Sequence, residues 1–278
     1  MPLIRAGDIN LYYEIHGRGK PLVLLMGLGC HSGLWLYQVQ EFSKNFQVIV
    51  MDNRGVGRSD KPAGDYSIEM MADDTANLLK ALAIPKAHIL GMSMGGAIAQ
   101  RFALRYPELL DKLVLACTFS EQTPYGIMMM KLWEDIAGGA GIGAVTRLLL
   151  LQSITPRGFM ERHKMVTEVQ ELFALYPQPV AAYISQNHAC QKHNTTAELP
   201  GIKVPTLVLV GDRDVQSPVG SLKLIAEKIP GAKLKIIPRC GHGFMWEAAE
   251  QFNEAVLEFL AGEKHALPAL GTESLPNG

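Results

Sequence analysis

The run His88-Ile89-Leu90-Gly91-Met92-Ser93-Met94-Gly95-Gly96 joins an apolar stretch of strand type, a Gly-x-Ser-x-Gly pentapeptide and the start of a helical pattern. A serine on such a sharp strand-to-helix turn projects its hydroxyl above a sheet, and Gly91 and Gly95 omit the side chains that would collide there. The helix N-terminus beyond it favours negative charge developing on a reacting group. The pentapeptide alone is only moderately specific. The strand before it and the helix after it select Ser93 as a nucleophile.

A hydroxyl is a weak nucleophile, so the chemistry needs a base to take its proton and a third group to orient that base. Two further apolar runs end in suitable residues: Leu209-Val210-Gly211-Asp212-Arg213-Asp214 and Pro238-Arg239-Cys240-Gly241-His242-Gly243. Catalytic loops converge at the carboxyl ends of strands in parallel α/β sheets, and serine, acid, histidine is the chain order of this site type. His242 is the expected base, with Asp212 and Asp214 both placed to serve as the acid. His16, His31, His163, His188, His193 and His265 read as surface or loop residues. His88, which opens the strand before Ser93, reads as structural.

These residues require a sheet to carry them. Short apolar runs at Leu11–Ile15, Leu22–Met26, Val48–Met51, His88–Leu90, Leu113–Ala116, Thr206–Val210 and Leu234–Ile237 read as strands covered on both faces. Helical patterns at Ile68–Leu82, Gly95–Tyr106, Pro218–Ile229 and Ala248–Leu260 alternate with them. The fold class is therefore α/β: a mostly parallel central sheet flanked by helices, with an antiparallel start near Leu3–Ile15. Between 119 and 198 the alternation lapses into Met-rich and Leu-rich helical segments, an inserted helical unit. The expected division is a core in two parts, 1–118 and 199–262, around that insertion, with a surface tail at 263–278.

Three motifs, Gly91-Met92-Ser93-Met94-Gly95-Gly96, Gly211-Asp212-Arg213-Asp214 and Gly241-His242-Gly243, resemble those of α/β-hydrolase superfamily serine hydrolases. Asp52-Asn53-Arg54-Gly55-Val56-Gly57-Arg58-Ser59-Asp60 resembles the architectural loop after the fourth strand of many of these proteins. The resemblance implies an α/β-hydrolase fold with the insertion as a helical cap, and Asp214 as the acid, leaving Asp212 to shape the turn by a local side-chain bond. It also implies an oxyanion hole built from the backbone N–H groups of Leu28 and Met94. The loop Met26-Gly27-Leu28-Gly29-Cys30 is similar to the family's His-Gly-x-Gly turn, with Met26 in the position commonly held by His. A serine at the elbow, where haloalkane dehalogenases and epoxide hydrolases carry Asp, argues against those activities.

Composition and missing motifs exclude other classes. The 278 residues carry 26 Lys+Arg and 27 Asp+Glu, a net charge of −1 that supplies no electrostatic footprint for nucleic acid. Apolar residues make up 48% and charged residues 19%, a balance that can bury a sizeable core. No nucleotide-binding glycine motif and no His-Glu-x-x-His occurs. His188 and His193, five residues apart, point away from each other on a helix and do not suit a metal, so no cofactor and no metal is expected. No apolar run approaches the ~20 residues of a membrane span. The four cysteines (Cys30, Cys117, Cys190, Cys240) are widely spaced and read as free thiols. With Arg5 and Asp8 in the first ten residues in place of a leader's apolar stretch, a cytoplasmic location is expected.

The function that follows is a cofactor-independent serine esterase acting through an acyl-enzyme on Ser93, with a small-molecule ester or lactone as partner. An enol-lactonase similar to the 3-oxoadipate family is the runner-up, and perhydrolases, haloperoxidases and carbon–carbon hydrolases share the triad. A receptor that binds ligand without turnover is a remoter alternative. Met128, Trp133 and Phe244 are the expected pocket residues. Arg147, Arg157 and Arg162 are the cations available in the insertion for a charged substrate. Neither composition nor motif fixes an oligomeric state.

Overall fold

The computed structural model describes residues 2–262; the tail expected at 263–278, His265 included, lies outside them. Eight strands form one sheet: β1 (Leu3–Ala6), β2 (Ile9–His16), β3 (Lys20–Leu25), β4 (Phe46–Met51), β5 (Ala87–Met92), β6 (Leu110–Ala116), β7 (Thr206–Gly211) and β8 (Lys233–Ile237). Their spatial order is β1-β2-β4-β3-β5-β6-β7-β8. β1 and β2 pair antiparallel, β2 and β4 likewise, and every pairing from β4 through β3 to β8 is parallel. The register places Leu24 beside Leu90, Leu90 beside Val114, Val114 beside Leu207 and Leu207 beside Lys233, so β5, β7 and β8, which lead to the expected catalytic residues, share one level with β3.

Successive strand residues point to opposite faces, and both faces are apolar because both are covered. Val23, Leu25, Ile89 and Leu115 pack in one core with α2 (Ile68–Ala81) and α3 (Met94–Arg105). Leu22, Leu24, Leu90 and Val114 pack in the other, with α1 (Leu36–Phe42) and α11 (Ala249–Ala261). At the β8 edge the pattern loosens, and Lys233 and Lys235 place charge there, which discourages pairing with another chain. α2 starts where the sequence predicts it, at Ser67, whose hydroxyl accepts from Met70 N–H at 3.2 Å.

Between β6 and β7 lie five helices: α4 (Pro124–Ala140), α5 (Ile142–Ser153), α6 (Pro156–Glu161), α7 (His163–Leu175) and α8 (Val180–Lys192). The two ends of this insertion are tied together by Thr195 N–H donating to Ser120 O at 2.8 Å and by an antiparallel bridge between Glu121 and Asn194. α9 (Val219–Lys228) follows β7, and the short α10 (Phe244–Glu247) leads into α11.

The loop after β4 is an organising knot. Asp52 accepts from Ser32 N–H at 2.7 Å and from Arg58 N–H at 2.8 Å, and Asn53 Nδ2 donates to Met26 O at 3.2 Å. Arg54 is buried and makes a two-pronged pair with Asp74, Nε to Oδ2 at 2.6 Å and an Nη to Oδ1 at 2.7 Å. Two of the histidines read as surface or loop residues lie in loops but are buried there. His31 donates from Nε2 to Leu172 O at 2.7 Å and accepts Gly33 N–H on Nδ1, linking the loop after β3 to α7. His193 is enclosed beside Phe119 and Thr195. Their surroundings come from distant segments, which a local reading of polarity does not sense.

Candidate active site

Ser93 sits between β5 and α3 with φ 54° and ψ −119°, a left-handed φ that a non-glycine residue holds only under constraint. The constraint is visible on both sides. Ser93 N–H donates to Ala116 O at 2.9 Å, and Ser93 O accepts from Thr118 Oγ1 at 2.7 Å. A Cβ on Gly91 would lie 2.2 Å from Gly95 O, and one on Gly95 would lie 2.0 Å from Leu25 O. The turn is thus tight enough to demand both glycines.

His242 lies in the loop after β8, and Asp214 in the loop after β7. The carboxylate of Asp214 faces the imidazole with Oδ2 2.8 Å and Oδ1 3.0 Å from Nδ1. Oδ1 also accepts the N–H groups of Gln216 and Ser217, each at 2.8 Å, so the carboxylate is fixed before it meets the histidine. The His242 loop is held in turn by Gly243 N–H on Ser153 O at 2.7 Å and by Gly241 N–H on Glu247 Oε2 at 3.2 Å. Glu247 is buried and also accepts the N–H and hydroxyl of Thr155, tying this loop to the insertion.

Ser93 and His242 line one cavity of about 50 Å³. Among the described residues Ser93 Oγ has no hydrogen-bond partner. Leu28 and Met94 line the same cavity, and among the described residues neither N–H has an acceptor. The structure therefore brings Ser93, His242, Leu28 and Met94 together, with Asp214 directly behind His242. Asp212 is apart from them: its Oδ1 accepts Arg239 N–H at 2.6 Å, joining the β7 and β8 loops rather than closing its own turn as expected.

The expected pocket residues divide. Trp133 lines the cavity. Met128 does not: it is 74% exposed on the outer face of α4, while its neighbours Met129 and Met130 turn inward and line the site. Phe244 is also corrected, because it is fully buried in the core against Phe252, with ring centroids 5.2 Å apart. Trp246, two residues on, supplies that wall, with Nε1 donating to Leu34 O at 2.9 Å. Arg147, Arg157 and Arg162 are all exposed and none lines the cavity. Among the described residues its lining carries no Lys, Arg, Asp or Glu; its polar groups besides Ser93 and His242 are Gln122, Ser153, Gln216 and Ser217.

Cys30 lines the cavity, and burial pushes its thiol up to about 12. Burial first, and then the Asp214 charge, hold the Cys117 thiol well above its ordinary range. Both are neutral thiols and poor nucleophiles. Among the described residues one trio of metal-ligand type lies within 4.8 Å, Cys117, Asp214 and His242. Since Asp214 and His242 already bond each other and the thiol is protonated, the trio is organised as a carboxylate–imidazole pair beside a packing residue.

The comparisons with known proteins agree with this architecture. The family model for the alpha/beta hydrolase fold matches residues 20–142. A protein named for carbamate hydrolysis, RutD of Caulobacter sp. strain K31, is 31% identical over 268 residues, covering 94% of this chain and 99% of its own. The enol-lactonase from Burkholderia xenovorans LB400 superposes with a TM-score of 0.88 at 27% identity, over 94% of this chain and 100% of its own. A thermophilic esterase from Thermogutta terrifontis gives 0.84 at 28% identity, over 91% and 93%. The chain belongs to the alpha/beta hydrolase fold family and is a hydrolase.

Proposed function

We propose that the protein is a serine esterase that cleaves a small, uncharged carboxylic ester through an acyl-enzyme on Ser93. The observation that carries this reading is an arrangement around one cavity: Ser93 on its strained elbow lines the same space as His242, and His242 is held through Nδ1 by Asp214 at 2.8 Å. With Nδ1–H donated to Asp214, the Nε2 lone pair is left to accept the Ser93 proton. Ser93 Oγ attacks the ester carbonyl, the N–H groups of Leu28 and Met94 hold the oxyanion, and His242 returns the proton to the leaving alcohol. Water, deprotonated by His242, then attacks the acyl-enzyme and releases the acid.

The lining supports a neutral substrate over an anionic one. An anion brought into a site without a cation pays desolvation with no compensating pair, so a lactone bearing a free carboxylate, or a carbamate anion, fits this cavity poorly. A neutral lactone is a cyclic ester and falls within the same reading. The test is turnover of a chain-length series of neutral p-nitrophenyl esters against an enol-lactone carrying a carboxylate, with Ser93→Ala alongside and a fluorophosphonate label located by mass spectrometry. Neutral-ester turnover lost in Ser93→Ala, with the label on Ser93, is the expected result. Turnover undiminished in Ser93→Ala overturns the mechanism, and preference for the anionic lactone overturns the substrate class.

A further inference from the structure

The turn that presents Leu28 runs Gly27-Leu28-Gly29-Cys30 and is closed by Cys30 N–H donating to Gly27 O at 3.2 Å. Gly29 stands at φ 72°, the left-handed value a type II turn requires at its third position. The peptide that follows Leu28 is held at both ends. Its carbonyl accepts from the Cys30 thiol at 3.4 Å, and its N–H, that of Gly29, donates to Gln186 Oε1 at 3.1 Å.

Gln186 comes from α8 in the helical insertion, 157 residues along the chain from Gly29, and it is fully buried. Its amide has one orientation that satisfies every neighbour. Nε2 donates to Arg54 O at 2.7 Å, and Oε1, besides Gly29 N–H, accepts from Gln178 Nε2 at 3.0 Å. Gln178 Nε2 also reaches Gly55 O at 2.9 Å. One side chain therefore joins three segments distant in sequence: the Leu28 turn, the loop after β4 and the insertion. No other side chain bonds the backbone N–H groups of that turn among the described residues.

We propose that Gln186 is the positioning residue of the oxyanion turn: by holding Gly29 N–H it fixes the plane of the Leu28–Gly29 peptide, and with the Gly27 carbonyl tied to Cys30 N–H this leaves the Gly27–Leu28 peptide, which carries Leu28 N–H, one orientation toward the cavity. The hole then reaches its working geometry only with α8 seated on the core, which couples the insertion that shapes the pocket to the step that stabilises charge. The inference rests on the proposed function, in that Leu28 N–H is taken as an oxyanion donor. Gln186 touches no reacting atom. Its effect is on where a donor points, and donors matter in the transition state far more than in the ground state.

The experiment compares Gln186→Leu with the unsubstituted protein on the preferred neutral ester, with active sites counted by complete fluorophosphonate labelling and Ser93→Ala run in parallel. Displacing one donor lowers kcat per labelled site by about 10- to 100-fold, with KM changed by less than about threefold. Affinity for a boronic acid, which forms a tetrahedral anion on Ser93, falls by the same factor as kcat/KM. Should Gln186→Leu fail to fold, Gln178→Leu carries the test: it removes the brace but leaves the Gly29 bond, and the same pattern is expected at about 3- to 10-fold. Unchanged kcat per labelled site, or a rise in KM matching the loss of boronate affinity, overturns the inference and leaves a structural glutamine. Turnover surviving in Ser93→Ala instead overturns the serine mechanism itself, so the two failures are distinguishable.

Discussion

Asp214 meets His242 with a carboxylate whose second task is already fixed: Oδ1 is taken by the Gln216 and Ser217 N–H groups at 2.8 Å while Oδ2 lies 2.8 Å from Nδ1. In Asp214→Asn the amide oxygen keeps the two backbone bonds, so the NH2 group turns toward Nδ1. Nδ1 must then accept, the proton moves to Nε2, and the base can no longer take the Ser93 proton. Loss of the correct tautomer is expected to lower kcat by about 10³- to 10⁴-fold with little change in melting temperature. Asp212→Asn, whose side chain among the described residues bonds only Arg239 N–H and the exposed Arg213, is expected to stay within about threefold of full activity. Steady-state kinetics on the two variants check the assignment, and equal losses would contradict it.

That assignment shows where sequence reading stops. Ser93, Asp214 and His242 stand out as candidates in the sequence because each follows an apolar strand with glycine nearby, and strand ends in a parallel sheet meet at one edge. Asp214 was separated from Asp212 only by family resemblance, since both follow β7 within three residues. Gln186 and Glu247 carry no motif. Their partners lie at Gly29 and Thr155, and a contact between α8 and a loop near the N-terminus leaves no periodic signal in either segment. Met128 and Phe244 were misplaced because a helix turns about 100° per residue. A run of three methionines fixes that some face inward, not which.

The buried pair of Arg54 and Asp74 predicts a stability effect separate from activity. Arg54→Ala leaves the Asp74 carboxylate buried without its two charge-assisted bonds at 2.6 and 2.7 Å. Removing one partner of a buried pair costs about 3–5 kcal/mol, mostly from stranding the other charge. Urea denaturation at pH 7.5 is expected to show that loss with the dependence on urea concentration unchanged. A shift below about 1 kcal/mol would mean that water reaches Asp74 in the variant.

The burial of His88 and His193 predicts a loss of stability in acid. Burial, the largest influence, depresses His88 to about 4 and His193 to about 3. Around His88 stand Asp111, which opposes the shift, and Lys20 and Lys112, which add to it. In the unfolded chain each imidazole titrates near 6.5. Below that pH the unfolded state binds protons that the folded state refuses, so stability is complete above about pH 6.5 and is lost progressively as the pH falls toward 4. For His88 the full effect is on the order of 3 kcal/mol. Both of its ring nitrogens lack hydrogen-bond partners among the described residues, so His88→Leu forfeits no hydrogen bond, only the 3.4 Å approach of Nδ1 to Asp111 Oδ2. Urea midpoints at pH 7.5 and 5.0 should lie closer together in His88→Leu than in the unsubstituted protein. An unchanged gap would remove His88 from the acid response.

On the proposed esterase reading, Trp133 is expected to limit the length of acyl group the cavity admits. It projects from α4 into the site, with Nε1 donating to Gln152 Oε1 at 3.0 Å, and the enclosed space beside Ser93 is only about 50 Å³. Trp133→Ala opens that wall toward Leu149 and Met129, apolar side chains that also line the site. Each methylene accommodated in an apolar pocket changes specificity by about 1–3 kcal/mol, so the ratio of kcat/KM for octanoate over acetate esters should rise by at least about tenfold. Met128→Ala is the control: that side chain is on the same helix but faces solvent, and its chain-length profile should match that of the unsubstituted protein. An identical profile for Trp133→Ala would place the acyl chain elsewhere in the cavity, against the Phe173 and Trp246 side.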